Sequence, residues 1–254
     1  SVVTEADIAV QRLVRDAVGA AFPSHGVVGE ERVKGSKERP EDHDGLWIVD
    51  PIDGTEAFSR GLPMWASSIG LYLNGRPTLG VIAQPATGDL YWGVAGGGAF
   101  LNGRPIHIDD GPDLGRQSLT LVPSNTHHLA RPVSQGKIQG YGSNCLHLLY
   151  VARGSAQATV LGSAYVWDYF AAAIILEGAG GRLFSLFGEP LDLTDLSAKQ
   201  AHLKGAIACH PDRIPAVLAA FDVERPTDLH GCSGKFTTSR YDVSRGEDDP
   251  SDAE

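Results

Sequence analysis

Leu46-Trp47-Ile48-Val49 is an unbroken apolar run that passes directly into Asp50-Pro51-Ile52-Asp53-Gly54-Thr55. An apolar run without polar alternation reads as a strand buried on both faces. Such a strand must be covered by other elements, which points to a layered α/β chain. The string that follows it carries the chemistry. Two carboxylates three residues apart at a strand end can converge on one site. Pro51 fixes its own φ and biases Asp50 towards extended geometry. Gly54 lets the backbone approach a ligand closely. Thr55 then opens a short helix-like stretch through Phe58, where free N–H groups favour a phosphate. Carboxylates alone would repel that phosphate, whereas hard divalent cations between them reverse the local sign, and oxygen ligands suit Mg²⁺. An acidic turn with a helix cap accounts for the same string without any chemistry.

The rest of the chain alternates around this point. Residues 4–22 place Ile8, Leu13, Val14, Ala17, Val18 and Ala21 on one helical stripe, and Thr4 followed by Asp7 fits a capping box. Val27-Val28 reads as a short strand ending in Gly29-Glu30-Glu31, and a charged loop spans 32–44. Residues 66–108 read as β-strands, with hairpin turns at Asn74-Gly75 and Asn102-Gly103 and a further turn at Thr87-Gly88-Asp89. A hinge is expected at 112–117. Beyond it, strands 118–122, 158–161, 183–186 and 206–209 alternate with helices near 144–153, 167–178 and 214–221, a pattern expected to give a more parallel, helix-covered sheet. The polar, acidic end from Thr237 is expected to be a disordered tail.

Bulk properties narrow the function classes. The chain has 254 residues, is 42% hydrophobic and carries a net charge of −10, with no basic stripe to neutralise a nucleic-acid backbone. Cys145, Cys209 and Cys232 are widely spaced and form no CxxC pair, which excludes a disulfide framework or zinc ribbon and fits a reducing cytosol. The apolar run around Ala171–Leu176 is too short to span a membrane, and the opening residues are not expected to be a signal peptide.

Two further acidic segments join the first: Gly29-Glu30-Glu31 after a β-type pair, and Trp167-Asp168 at the start of a helix closing on Glu177-Gly178-Ala179-Gly180-Gly181. Singly, each reads as a solvated turn or a helix cap. In this order, with the aspartates of DPIDGT three apart rather than in the two-apart pattern of haloacid-type phosphatases, they resemble the inositol monophosphatase superfamily. These are lithium-sensitive, magnesium-dependent phosphatases. The resemblance covers roughly residues 2–222. It implies an α/β (α+β) fold, the layered αβαβα sandwich of the inositol monophosphatase and fructose-1,6-bisphosphatase type. Residues 1–113 would form an α+β half with a large, mostly antiparallel sheet, 114–235 a smaller α/β half, and 236–254 the tail. A homodimer in the cytoplasm is implied as well.

The resemblance also implies roles. Glu30, Asp50 and the Ile52 carbonyl would hold one Mg²⁺, and Asp50, Asp53 and Asp168 a second. A third, looser ion would share Glu30 and waters. Gly54 and Thr55 would give backbone N–H groups to the phosphate, and Thr55 would pair with Asp7. Glu30, Thr55 and Asp7 would orient an attacking water or take its proton, with no covalent phospho-enzyme. Asp168 and Gly142-Ser143-Asn144 would lie near the substrate's hydroxyls.

Two departures bear on specificity and on the first layer. Members that hydrolyse inositol phosphates carry a Glu seven residues before the WD aspartate, and Leu161 stands here instead. Histidinol phosphate and sugar phosphates such as fructose-1,6-bisphosphate therefore stand beside inositol-1-phosphate as expected substrates. Relatives generally have one more helix ahead of the VTxxD segment, here Val3–Asp7, so a trimmed chain is expected. A non-catalytic descendant that binds sugar phosphates or a protein partner is the rival of another class. His127-His128 reads as a solvated loop, His147 as structural or at a pocket rim, Gly96-Gly97-Gly98 as a turn between strands, and Trp47, Trp65 and Trp92 as sheet packing.

Overall fold

The computed structural model describes residues 3–31, 43–123, 130–133, 136–194 and 202–223; the expected tail, His127-His128 and Cys232 lie outside these residues. Helix α1 (Glu5–Ala21) starts on the capping box, with the Thr4 N–H (2.7 Å) and hydroxyl (2.6 Å) both donating to Asp7 Oδ2. The face it turns inward differs from the expected one. Asp7, Gln11 and Val18 are buried, while Ile8 is 50% and Leu13 69% exposed. Positions 7, 11, 14 and 18 form a helical stripe of their own, and two of its members are polar groups needed at the site below.

The first sheet has seven strands in chain order: β1 (His25–Gly29), β2 (Gly45–Asp53), β3 (Ala66–Leu73), β4 (Arg76–Gln84), β5 (Asp89–Val94), β6 (Gly98–Leu101) and β7 (Arg104–Pro105). β1 and β2 are parallel and every later pair is antiparallel. Asn74 (φ 51°) and Gly75 (φ 75°) close the β3–β4 hairpin, and Asn102 (φ 50°) and Gly103 (φ 77°) the β6–β7 hairpin. Positive φ at both central residues is the twist-matched hairpin turn.

The second sheet has the order β10 (Lys137–Gln139), β8 (Leu119–Leu121), β11 (Ala158–Leu161), β15 (Ala206–Cys209), β13 (Arg182–Phe184). Its first three strands are parallel, but β15 runs antiparallel to both β11 and β13. The sheet is more parallel than the first, as expected, but mixed. Among the described residues no helix crosses over between β13 and β15, and without one neighbouring strands are free to run antiparallel. Two short pairs complete the strands, β12 (Ala164–Tyr165) with β14 (His202–Leu203) and β9 (Ala130–Pro132) with β16 (Phe221–Val223).

The layers follow from which faces are apolar. α1 covers one face of the large sheet through Val18, Val27 and Val49. The other face carries α3 (Asn144–Ala152) and α4 (Val166–Gly178), which also touch the second sheet. α5 (Ile214–Ala220) packs on the far side, where Val160, Ile207 and Val217 meet. The result is an αβαβα sandwich, and α4 is its centre, apolar around its whole circumference as a helix between two sheets must be. It comes unusually close to the large sheet. A Cβ built on Gly80 would lie 2.3 Å from the Ala171 carbonyl oxygen, so only glycine fits there.

Candidate active site

On a regular strand, residues three apart point to opposite faces. Asp50 and Asp53 escape this because Asp50 pairs with Ser68 while Asp53 pairs with Ala66. β2 takes three steps where β3 takes two. The extra residue is a β-bulge across Pro51-Ile52, and it turns Asp53 towards the side of Asp50. Pro51 has no N–H to lose from the ladder, and its carbonyl accepts the Ser67 hydroxyl at 2.6 Å. Parallel pairing of β1 with β2 sets Gly29 opposite Val49, so Glu30 and Asp50, the next residue on each, come side by side.

The second half of the chain meets this edge with two helix starts. Asp53 receives the N-terminus of α3: its Oδ2 accepts the Ser143 hydroxyl (2.5 Å) and the Cys145 N–H (2.6 Å), its Oδ1 the Asn144 N–H (3.3 Å). Asp168 caps α4 by accepting the Tyr165 N–H at 2.7 Å, and its carbonyl accepts the Cys145 thiol at 3.3 Å. Helix starts carry partial positive charge, which is why carboxylates settle there. Gly54, at φ 92°, links Asp53 to α2 (Thr55–Ser59), and a Cβ on it would lie 2.7 Å from the Met64 carbonyl oxygen. The first N–H groups of α2 have no partner within that helix.

Electrostatics tie the acids together. Burial first, then Asp53, Asp168 and Glu30, push the Asp50 carboxyl well above its ordinary range. Burial also raises Asp53, against the donors of α3 that pull it down. Asp168 is pushed up to about 8 by burial and then by Asp53, and Glu30 to about 7 by burial and then by Glu31, Asp7 and Asp53. Four carboxylates therefore share one region and destabilise one another's charge, and no cationic side chain figures among the causes. The donors are all hard oxygens, which fits a divalent ion such as Mg²⁺. Among the described residues no three His, Cys, Asp or Glu side chains stand as a ready-made cage. That too is compatible with Mg²⁺, which usually keeps several waters and takes only one or two carboxylates.

The other expected site residues fall into two groups. Gly54 and Thr55 adjoin Asp53, but the Thr55 hydroxyl donates to the Ile52 carbonyl (2.9 Å) and Asp7 Oδ2 is taken up by Thr4, so the expected Thr55–Asp7 pair is replaced by these two bonds. Asp7 Oδ1 is buried without a hydrogen-bond partner among the described residues. Ser143 is fully buried, donating to Asp53 and accepting the Leu146 N–H. Gly142 is exposed, and Asn144 partly so. His147 is structural: it is fully buried and its Nε2 accepts the Tyr141 N–H. Leu161 lies in the core at 0% exposure. Sequence reasoning missed Gln11, whose side-chain amide donates to the Glu31 carbonyl and accepts the Glu31 N–H (3.0 Å), and Cys145, whose thiol and N–H bridge Asp168 and Asp53. The polar i, i+4 pair Asp7/Gln11 on one helix was the signal for the first; nothing local marked the second.

The αβαβα sandwich, with acids clustered where strand ends meet helix starts, is the architecture of a superfamily of phosphatases. Residues 1–216 match the model of the Inositol monophosphatase family. The chain is 36% identical over 196 residues to a histidinol-phosphatase of Chlorobaculum parvum (73% of each chain). It is 35% identical over 218 residues to inositol monophosphatase 3 of Solanum lycopersicum (80% of this chain, 81% of the relative). The solved inositol monophosphatase of Anabaena (Nostoc) sp. PCC 7120 superposes with a TM-score of 0.69 at 31% identity, covering 85% of each chain. The protein belongs to the inositol monophosphatase family, and it is a phosphoric monoester hydrolase of that superfamily.

Proposed function

We propose that the protein hydrolyses the phosphate monoester of a small polar metabolite, with Mg²⁺, by direct attack of water. The single observation that carries this is the meeting of Glu30, Asp50, Asp53 and Asp168 beside the first turn of α2, with no cationic side chain among the described residues acting on them. Glu30, Asp50, Asp168, the Ile52 carbonyl and Asp53 would hold the ions. Asp53 retains one acceptor position, since three of about four lone-pair sites on a carboxylate are filled by α3. Bound there, Mg²⁺ would offset phosphoryl charge and lower the pKa of the attacking water. The backbone N–H groups of Gly54 and Thr55 would orient the phosphate, and Glu30 would orient the water and take up its proton. Asp7, through its unpartnered Oδ1, is the second acceptor available for that task.

Histidinol phosphate is the second reading of the substrate. Its support is the buried Leu161, which offers no acceptor to a ring hydroxyl, together with the similarity to a histidinol-phosphatase. No helix among the described residues is long and apolar enough to cross a membrane. A cytoplasmic homodimer completes the proposal. Turnover of inositol-1-phosphate, histidinol phosphate, fructose-1,6-bisphosphate and an adenosine monophosphate, each with and without Mg²⁺, tests it. We expect Mg²⁺-dependent release of phosphate from at least one, and a loss of about 10³-fold or more in Asp50→Asn, worth ~4 kcal/mol of barrier. Absence of Mg²⁺-dependent turnover across the panel, or an Asp50→Asn enzyme as active as wild type, would overturn it.

A further inference from the structure

Gln11 is 2% exposed and lies one helical turn after Asp7 on the inward face of α1. Its side chain does what a neighbouring strand would do. β1 ends at Gly29, whose ladder partner is Val49, and the Gln11 amide then takes both main-chain polar groups of Glu31: Nε2 donates to the carbonyl, Oε1 accepts the N–H. Gly29 makes room for this, because a Cβ there would meet Gln11 Oε1 and the Val49 carbonyl oxygen. Glu30 is thus strung between two fixed points, Gly29 held by β2 and Glu31 held by Gln11. No side-chain hydrogen bond among the described residues does the same for the Glu30 carboxylate itself.

We infer that Gln11 is a positioning residue for metal binding: its amide clamp on Glu31 aims Glu30 into the acidic cluster and so sets the affinity for the ion that Glu30 helps to hold. The inference rests on the reading of Glu30 as an ion ligand. A side-chain amide suits the task, since it supplies the donor and the acceptor a peptide group needs without adding a negative charge to a region already crowded with four. Groups that orient ligands in this way typically govern metal affinity by 10–100-fold.

Calorimetric titration of Mg²⁺ into the whole protein tests the clamp, with Gln11→Leu compared with Val18→Ala. Val18 lies on the same face of the same helix, packed only in the apolar patch with Val27 and Val49. Its truncation loosens α1 without touching the 29–31 turn. Expected is a weakening of Mg²⁺ binding by roughly 10-fold or more in Gln11→Leu and by less than about twofold in Val18→Ala. In turnover, the half-saturating Mg²⁺ concentration should rise in Gln11→Leu, with kcat at saturating Mg²⁺ moving far less. Equal weakening in both variants, or none in Gln11→Leu, overturns the clamp and leaves the metal site standing. Failure of the wild type to bind Mg²⁺ removes both. Should Gln11→Leu not fold, Gln11→Asn keeps the amide but withdraws it by one methylene, and the same outcome is expected of it.

Discussion

Charge is buried in two places in this protein, and the two are resolved in opposite ways. At the junction between the Asp109 and Gln157 segments, Arg213 is 1% exposed, and its guanidinium donates to the Asp109 carboxylate (2.9 Å), the Asp109 carbonyl (2.7 Å) and the Gln157 carbonyl (3.1 Å). The Asp109 carboxyl is held below its usual range, chiefly by hydrogen bonds from Gln157 and Gly111 and by the guanidinium. At the far end of β2, four carboxylates are held above theirs by burial and by one another. One cluster carries its own counter-charge. For the other, no cationic side chain among the described residues acts on the acids, and the counter-charge is the one we propose Mg²⁺ to supply.

Breaking the self-sufficient cluster should cost the most. Arg213→Ala leaves two carbonyls without donors and a void behind, and is expected to destabilise the fold by ~3–5 kcal/mol in urea unfolding. A loss below about 1 kcal/mol would mean that the junction does not need its buried cation.

A third remedy for buried charge, giving it up, predicts the next largest effect. The His147 imidazole is pushed down to about 4 from its ordinary 6.5 by burial, and its Nδ1 has no partner among the described residues. Its unfolded form therefore takes up a proton first. The stability this histidine contributes is complete above pH 6.5 and is lost as pH falls towards 4, about 3 kcal/mol in all. Unfolding free energies measured from pH 7 to 5 should fall more steeply in wild type than in His147→Gln. Parallel curves would show that the ring is not protected from protonation.

The smallest effect has the opposite sign. In metal-free buffer Asp50→Asn removes a repelled charge while keeping an acceptor for the Ile52 N–H that now bonds Oδ1 (3.1 Å). We expect a gain of ~1 kcal/mol, read as a rise in Tm without Mg²⁺, and loss of the further rise that Mg²⁺ gives the wild type. A variant less stable than wild type in metal-free buffer would contradict the picture of mutually repelling acids.

Much of this was legible along the chain because its causes are local. Asn-Gly pairs make hairpins wherever two strands can flank them, and an apolar run ending in DPIDGT declares both a covered strand and an acidic edge. The order of GEE, DPIDGT and WD sufficed for the family. Local periodicity failed where burial serves the site instead of the core. On α1 the apolar residues Ile8 and Leu13 face outward, and Asp7 and Gln11 face inward, because hydrophobic counting cannot see a polar partner contributed by another element.

The residue order alone determined the main helices and strands and the hairpin turns, and it named the acids to watch, since propensity, φ restriction and strand burial act over a few neighbouring positions. The short strands β9, β10, β12, β14 and β16 were not legible in it. Only the tertiary structure decided that a one-residue bulge would bring Asp50 and Asp53 to the same side, that Ser143 would serve Asp53, and that β15 would run against its neighbours. Each of these depends on register and on contacts between residues tens of positions apart, and register is set by which faces must be buried once the sheets and helices meet.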